Sequence, residues 1–150
     1  MEHDALVVEA TPDPQDVRTL QDRLWQDDVA RSGCPDGQLL AIFLRDERGE
    51  VRGGLYGWTW SGWLEVRILW IRADLRGVGH GTRLLAAAEE AGRARGCHTA
   101  LLETHSFQAP AFYERRGYRA YAALEGYPTG HRKLFMRKDL RDTGTAASAV

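Results

Sequence analysis

The chain has 150 residues, 43% of them hydrophobic and 27% charged, and a formal net charge of −1. That is the size of one globular domain, large enough to bury a core without disulfide or metal staples and too short for a second domain. The charge balance gives no general attraction to nucleic acid or to an anionic membrane surface, a local basic run at Arg115, Arg116 and Arg119 aside.

In chain order, Ala5 to Ala10 reads as a short strand. Asp13 to Ala30 carries Val17, Leu20, Leu24 and Trp25 at helical spacing behind Thr11-Pro12, and breaks at Ser32-Gly33. Leu39 to Arg45 is apolar and of strand length, Asp46-Glu47-Arg48-Gly49 is a hairpin turn, and Glu50 to Trp60 returns as the partner strand. Ser61-Gly62 turns the chain into a third strand, Trp63 to Ile71. A helix from Gly79 to Arg95 buries Leu84, Leu85, Ala88 and Ala91 and ends at Gly96. Strand His98 to Thr104, a short helix starting near Gln108, and strands Tyr118 to Leu124 and Lys133 to Asp139 complete an α/β order of βαβββαβαββ. The small, polar end, residues 141–150, is expected to be a disordered tail on a domain of residues 1–140.

Cys34 and Cys97 lack the spacing of a metal site or a redox pair. No apolar run could span a bilayer, and the acidic N-terminus lacks a signal peptide's basic start and apolar core. The expected location is a reducing cytoplasm, with no membrane partner.

The segment from Leu75 to Leu85 passes from a strand pattern through Gly77, Gly79 and Gly81 straight into a helical one. Glycines there let the backbone turn tightly and approach a ligand, and the free N–H groups of the next helix's first turn point at negative charge. Arg76 adds a cation at the mouth. The loop is not a nucleoside-triphosphate loop, which needs a Gly-Lys pair, nor a dinucleotide fingerprint, which needs glycine where Thr82 stands. It fits R-x-x-G-x-G, as Arg76, Gly79 and Gly81, and resembles the pyrophosphate-binding motif of the GNAT superfamily of N-acetyltransferases. The run Ser106-Phe107-Gln108-Ala109-Pro110-Ala111-Phe112-Tyr113-Glu114-Arg115-Arg116-Gly117-Tyr118 is similar to the family's N-x-x-A-x-x-F-Y-x-x-x-G-[F/Y] segment, departing at Ser106, where many members carry Asn. Ser106 could instead cap the short helix.

The resemblance covers about Leu6 to Leu140 and implies a GNAT-like fold, a central mixed twisted sheet flanked by helices. It also implies acetyl-coenzyme A as co-substrate, no metal and no covalent enzyme intermediate. Two central strands would splay apart, so that the backbone of Leu69, Trp70 and Ile71 meets the pantetheine arm and the Ile71 N–H polarises the thioester carbonyl. The pyrophosphate would rest on the amides of Gly77, Val78, Gly79, His80, Gly81 and Thr82, beside Arg76, Ser106 and Phe112. Tyr113 matches the tyrosine that protonates the coenzyme A thiolate.

Acetyl transfer to an amine also needs a base. Glu65 stands where some relatives carry one. Arg67, two residues along the same strand face, would pair with it and weaken it. Glu103, near the end of the next strand, is the rival, and His105 on the same face is a shuttle candidate. Trp60, His105, Tyr127 and His131 are the candidate acceptor contacts. Trp60 belongs to a Trp58, Trp60, Trp63 cluster that cross-strand packing also explains. Tyr127 and His131 lie in a loop placed to close over the acceptor.

The expected activity is transfer of acetyl to a primary amine of a small molecule, a metabolite or an amine-bearing antibiotic, by direct attack in a ternary complex. A non-catalytic acyl-coenzyme A binding module, a protein amine and an aminoacyl-tRNA remain as alternatives. Nucleic acid is disfavoured by charge, and an exposed strand near the C-terminus leaves a homodimer open.

Overall fold

The computed structural model describes residues 4–141. Most of the expected tail, residues 142–150, therefore lies outside the described residues. The chain divides into two compact units, residues 1–35 and 36–150.

The first unit holds helix α1, Pro14–Ser32. Asp13 caps it, its Oδ1 accepting from the Gln15 N–H at 2.8 Å, while Pro14 sits in the first turn where no N–H is needed. Gly33, at φ 71°, ends it and donates to the Val29 carbonyl. The strand expected from Ala5 to Ala10 is absent: those residues carry no ladder. Val7 and Val8 suit a pleated surface, but β propensity reports fit to a paired neighbour and does not by itself hold a strand.

The second unit is a six-stranded sheet. β1 (Gln38–Arg45), β2 (Val51–Trp60) and β3 (Trp63–Ile71) form an antiparallel meander. A 3₁₀ turn, Ala73–Leu75, leads to α2 (His80–Ala94), then β4 (Thr99–His105), α3 (Pro110–Glu114), β5 (Arg119–Glu125) and β6 (Arg132–Asp139). The sheet order is β1-β2-β3-β4-β6-β5, with β3 and β4 parallel and every other pair antiparallel. This is the mixed α/β architecture expected, less its first strand. Among the described residues no helix is long and apolar enough to cross a membrane.

α2 packs on β1, β2 and β3. Leu84, Leu85 and Ala88 meet Leu55, Leu64, Val66, Ala100 and Leu102 in the core, and Ala91 lies partly buried against it. One polar group shares that helix face. Glu89, 6% exposed, accepts from the Tyr118 hydroxyl at 3.1 Å and from Lys138 Nζ at 2.8 Å, with Arg93 at 3.6 Å. A buried carboxylate is tolerable only with such partners.

Candidate active site

Two features of β3 make the site. Its ladder with β4 covers only Trp63 to Val66 against Thr99 to Leu102, after which β3 follows β2 and β4 follows β6. The parallel strands therefore part beyond Val66, opening a gap in the middle of the sheet. The second feature is a bulge. Tyr56 pairs with Ile68 and Gly57 with Val66, so Arg67 is the extra residue. Gly57 permits it: a Cβ there would lie 2.0 Å from the Glu65 carbonyl oxygen.

Beyond the bulge the Arg72 N–H donates to the Arg52 carbonyl. By strand alternation, the backbone groups of Trp70 then face β2, and those of Leu69 and Ile71 face the gap. Of the three residues expected to meet a pantetheine arm, Leu69 and Ile71 turn their backbone groups into the gap, and Trp70 turns its own toward β2. The Ile71 carbonyl already accepts from Arg76 Nε at 2.8 Å, which ties the Arg76 side chain back to the strand end.

The glycine loop lies directly after this strand. Gly79 caps α2 with φ 93°, and a Cβ on Gly77 or Gly79 would meet no protein atom within 4 Å, so the space above them is open to a ligand. The first intrahelical bond is from the Arg83 N–H to the Gly79 carbonyl, which leaves the amides of His80, Gly81 and Thr82 without helix partners. Phe112 closes the side of the cradle, its ring 3.3 Å from where a Gly81 Cβ would be. Donors in a concave, glycine-lined turn suit a pyrophosphate, so the residues present fit the phosphate end of acetyl-coenzyme A. Thr82 holds a second contact: its hydroxyl accepts from the Arg116 guanidinium, which lies 3.7 Å over the Phe112 ring and also donates to the Phe112 carbonyl. Arg116 thus joins α3 to the cradle. Sequence reading saw in it only a surface cation.

α3 carries Tyr113, whose ring packs edge-on against Phe112 and Tyr118. Burial pushes its phenol up, which keeps the proton on the oxygen. The helix starts at Pro110 rather than near Gln108, and Ser106 does not cap it. Ser106 instead exchanges bonds with Arg132, its Oγ accepting from the Arg132 N–H and its own N–H donating to the Arg132 carbonyl, both at 2.9 Å. That pins the end of β4 to the start of β6.

In the gap, a cleft of about 260 Å³ is lined by Glu65, Arg67, Glu103, His105, Gln108 and Tyr121 among others. Glu65, Leu101 and Glu103 share the sheet face opposite the buried Leu64, Val66, Ala100 and Leu102, as alternation requires. Both carboxylates are ion-paired. Arg67 reaches Glu65 at 2.9 Å, the pair anticipated from the sequence, and also lies 5.3 Å from the Trp58 ring. Lys133 reaches Glu103 at 2.6 Å, and that hydrogen bond raises the Lys133 ammonium above its ordinary range.

His105 is held differently. Gln108 Oε1 accepts from the His105 backbone N–H at 2.8 Å, which identifies that atom as the amide oxygen, and it lies 3.1 Å from His105 Nδ1. Nδ1 then carries a proton, and Nε2 is the ring nitrogen turned away from Gln108. The imidazole stacks between Phe107 and Tyr127, with centroids 5.3 and 5.6 Å away, and His131 meets Phe107 edge-on. The loop between β5 and β6 therefore docks beside the cleft and brings His105, Tyr127 and His131 together. Trp60 is elsewhere: it pairs with Trp63 at the far turn of the β2–β3 hairpin and does not line the cleft. Gln108, Tyr121 and Lys133 were missed. A lysine at the second position of a new strand gives no sequence signal that it will face a glutamate on another.

A sheet opened between two parallel strands, with an anion cradle at one end and carboxylates and an imidazole along the gap, defines an α/β enzyme for acyl-group transfer. The comparisons agree. The profile described as "Acetyltransferase (GNAT) family" matches residues 5–118, and the chain belongs to that family. It is an acetyl-coenzyme A-dependent N-acetyltransferase. It is 43% identical over 104 residues to the blasticidin-S acetyltransferase of Streptomyces morookaense, covering 69% of this chain and 76% of that one. It is 34% identical over 132 residues to the acetyltransferase Atu2258 of Agrobacterium fabrum, covering 88% and 96%. A crystal structure of an Agrobacterium tumefaciens acetyltransferase superposes with a TM-score of 0.79 at 33% identity, over 91% of this chain and 99% of the other.

Proposed function

We propose that the protein acetylates a primary amine of a small molecule by direct attack within a ternary complex, with His105 as the base and Tyr113 as the acid. The reading is supported by the state of the cleft: Glu65 and Glu103 are both held by cations, and His105 has Nδ1 pinned by Gln108 and, among the described residues, no hydrogen bond at Nε2. Acetyl-coenzyme A supplies the activated thioester. The cradle amides and Arg76 bind its phosphates, and the Ile71 N–H donates to the carbonyl oxygen as charge builds there. Glu65 and Glu103 orient the incoming ammonium. The ammonium first gives one proton to water; the nitrogen lone pair of the neutral amine then forms the bond to the carbonyl carbon, His105 Nε2 takes the second proton from that nitrogen, the C–S bond breaks, and Tyr113 gives its proton to the sulfur. Water then restores the tyrosine proton and removes that on His105.

A small acceptor is supported by the blasticidin-S relative and by a cleft of about 260 Å³, the size of a small molecule's amine-bearing end. The test is coenzyme A release across a panel of amines that includes blasticidin S. His105→Ala should lower kcat by about 100-fold or more and regain activity with added imidazole, while Tyr113→Phe lowers kcat with the acetyl-coenzyme A KM unchanged. Glu65→Gln should chiefly raise the amine KM. If Glu65→Gln or Glu103→Gln abolishes kcat while His105→Ala leaves it intact, a carboxylate is the base. Turnover of peptides but of no small amine would overturn the acceptor class.

A further inference from the structure

The helix that carries Tyr113 is a single turn, Pro110–Glu114, with no side-chain cap at its start. A helix that short is marginal by itself and is held by what touches it. Arg116, two residues past its end, is the tether. Its N–H donates to the Tyr113 carbonyl at 2.9 Å, its Nη1 to the Phe112 carbonyl at 2.7 Å, and its Nη2 to the Thr82 hydroxyl in the cradle. One nitrogen of the guanidinium thus satisfies a carbonyl of α3, and another grips the first turn of α2.

That second grip is electrostatically incomplete. The first turn of α2 is the positive end of the helix and holds no acidic residue. Arg83 stands in that turn, Arg76 in the loop before it and Arg116 against Thr82. Among the described residues none of the three has a carboxylate partner, and Arg116 Nε is buried without an acceptor. Like charges at a helix N-terminus repel one another and the helix dipole until an anion lies among them. The open cradle over Gly77 and Gly79 is where that anion sits, and the phosphates of coenzyme A supply it.

We infer that Arg116 is a positioning residue that couples the phosphate cradle to the proton donor. An anion seated on the α2 amides fastens Arg116 to Thr82, and Arg116 in turn fixes the single-turn helix that aims Tyr113. Binding energy from phosphates remote from the acyl carbon is thereby delivered to the placement of the acid. The inference rests on the role proposed for Tyr113 and is tested apart from it.

Hydrogen exchange of the full chain, followed by mass spectrometry over residues 109–118, reads the coupling without turnover. Coenzyme A carries the phosphates, and pantetheine, the thiol arm alone, controls for direct cover of α3. In wild type, coenzyme A should slow exchange at α3 about tenfold, the coupling expected of an anion relieving cations at a helix end, and pantetheine should not. Arg116→Met keeps the stem over Phe112 and removes the charge, while Thr82→Val removes the acceptor from the cradle side. In each, coenzyme A should still bind by calorimetry yet slow α3 by less than about twofold. Arg116→Lys keeps the charge without the fork and should restore part of the protection. In turnover, replacing acetyl-coenzyme A by S-acetylpantetheine should lower kcat about tenfold more in wild type than in Arg116→Met. Equal protection of α3 by coenzyme A in wild type and both variants overturns the inference, as does a wild-type α3 that coenzyme A leaves unchanged. Circular dichroism establishes that each variant is folded, and if one is not, the other decides. Protection lost in the variants beside an unchanged kcat in Tyr113→Phe would leave the tether standing and refute Tyr113 as the acid.

Discussion

Gly57→Ala is the sharpest probe of how the site is held open. The new Cβ would stand 2.0 Å from the Glu65 carbonyl oxygen, 3.0 Å from the Glu65 carbonyl carbon and 3.1 Å from Val66 Cα, all backbone atoms that no rotamer change can move. The oxygen alone is about 1.4 Å inside ordinary contact, so β2 and β3 must separate at the bulge. Overpacking of this kind costs about 1–3 kcal/mol, and losing one ladder hydrogen bond beside it adds about 1 kcal/mol. At about 3 °C per kcal/mol for a chain of this length, the melting temperature should fall by roughly 9 °C. Activity should fall further than stability implies. Glu65 and Arg67 flank the displaced peptide, and a shift of about 1 Å in a positioned group can cost about 100-fold in rate. Scanning calorimetry and steady-state kinetics on the folded variant read both. A Gly57→Ala protein that melts within 2 °C of wild type, on the order of the smallest resolvable shift, and turns over normally would show that the bulge does not depend on this glycine.

Gly79→Ala addresses the cradle: at φ 93° an alanine costs roughly 1–2 kcal/mol, and the helix amides turn away from the phosphates, so the acetyl-coenzyme A KM should rise about tenfold with little change in kcat. Burial raises the phenols of Tyr113 and Tyr118, the second aided by the Glu89 carboxylate beside it. The folded state therefore holds these protons more tightly than the unfolded chain. That contribution to stability is complete below the ordinary phenol range of about 10 and is lost as pH rises through the folded values. Ultraviolet titration should accordingly show these two phenols ionising above the ordinary range of about 10 in the folded protein and returning to it on unfolding. Glu89→Gln keeps an acceptor for the Tyr118 hydroxyl but leaves Lys138 and Arg93 without their buried counter-charge, and denaturant unfolding should show a loss of about 3 kcal/mol.

What the amino-acid order determined by itself is what depends on neighbours along the chain. The turn at Asp46 to Gly49, the end of α1 at Gly33, the apolar stripe of α2 and the glycine cradle from Gly77 to Gly81 all rest on backbone preferences within a few residues. The two motifs ending at Gly81 and Tyr118 are legible for the same reason. Where the reading failed, it had relied on local signals for a non-local outcome. Ala5 to Ala10 has strand composition but no ladder, and Ser106 is spent on Arg132, 26 positions away. The tertiary structure alone decided where β3 leaves β4, which makes Arg67 the bulged residue and turns the Leu69 and Ile71 backbones, but not that of Trp70, into the gap. It alone set Lys133 against Glu103 and stacked His105 between Phe107 and Tyr127. Those contacts join strands that are distant in sequence, and register between such strands is set by the packing of the whole sheet, which no short window of residues contains.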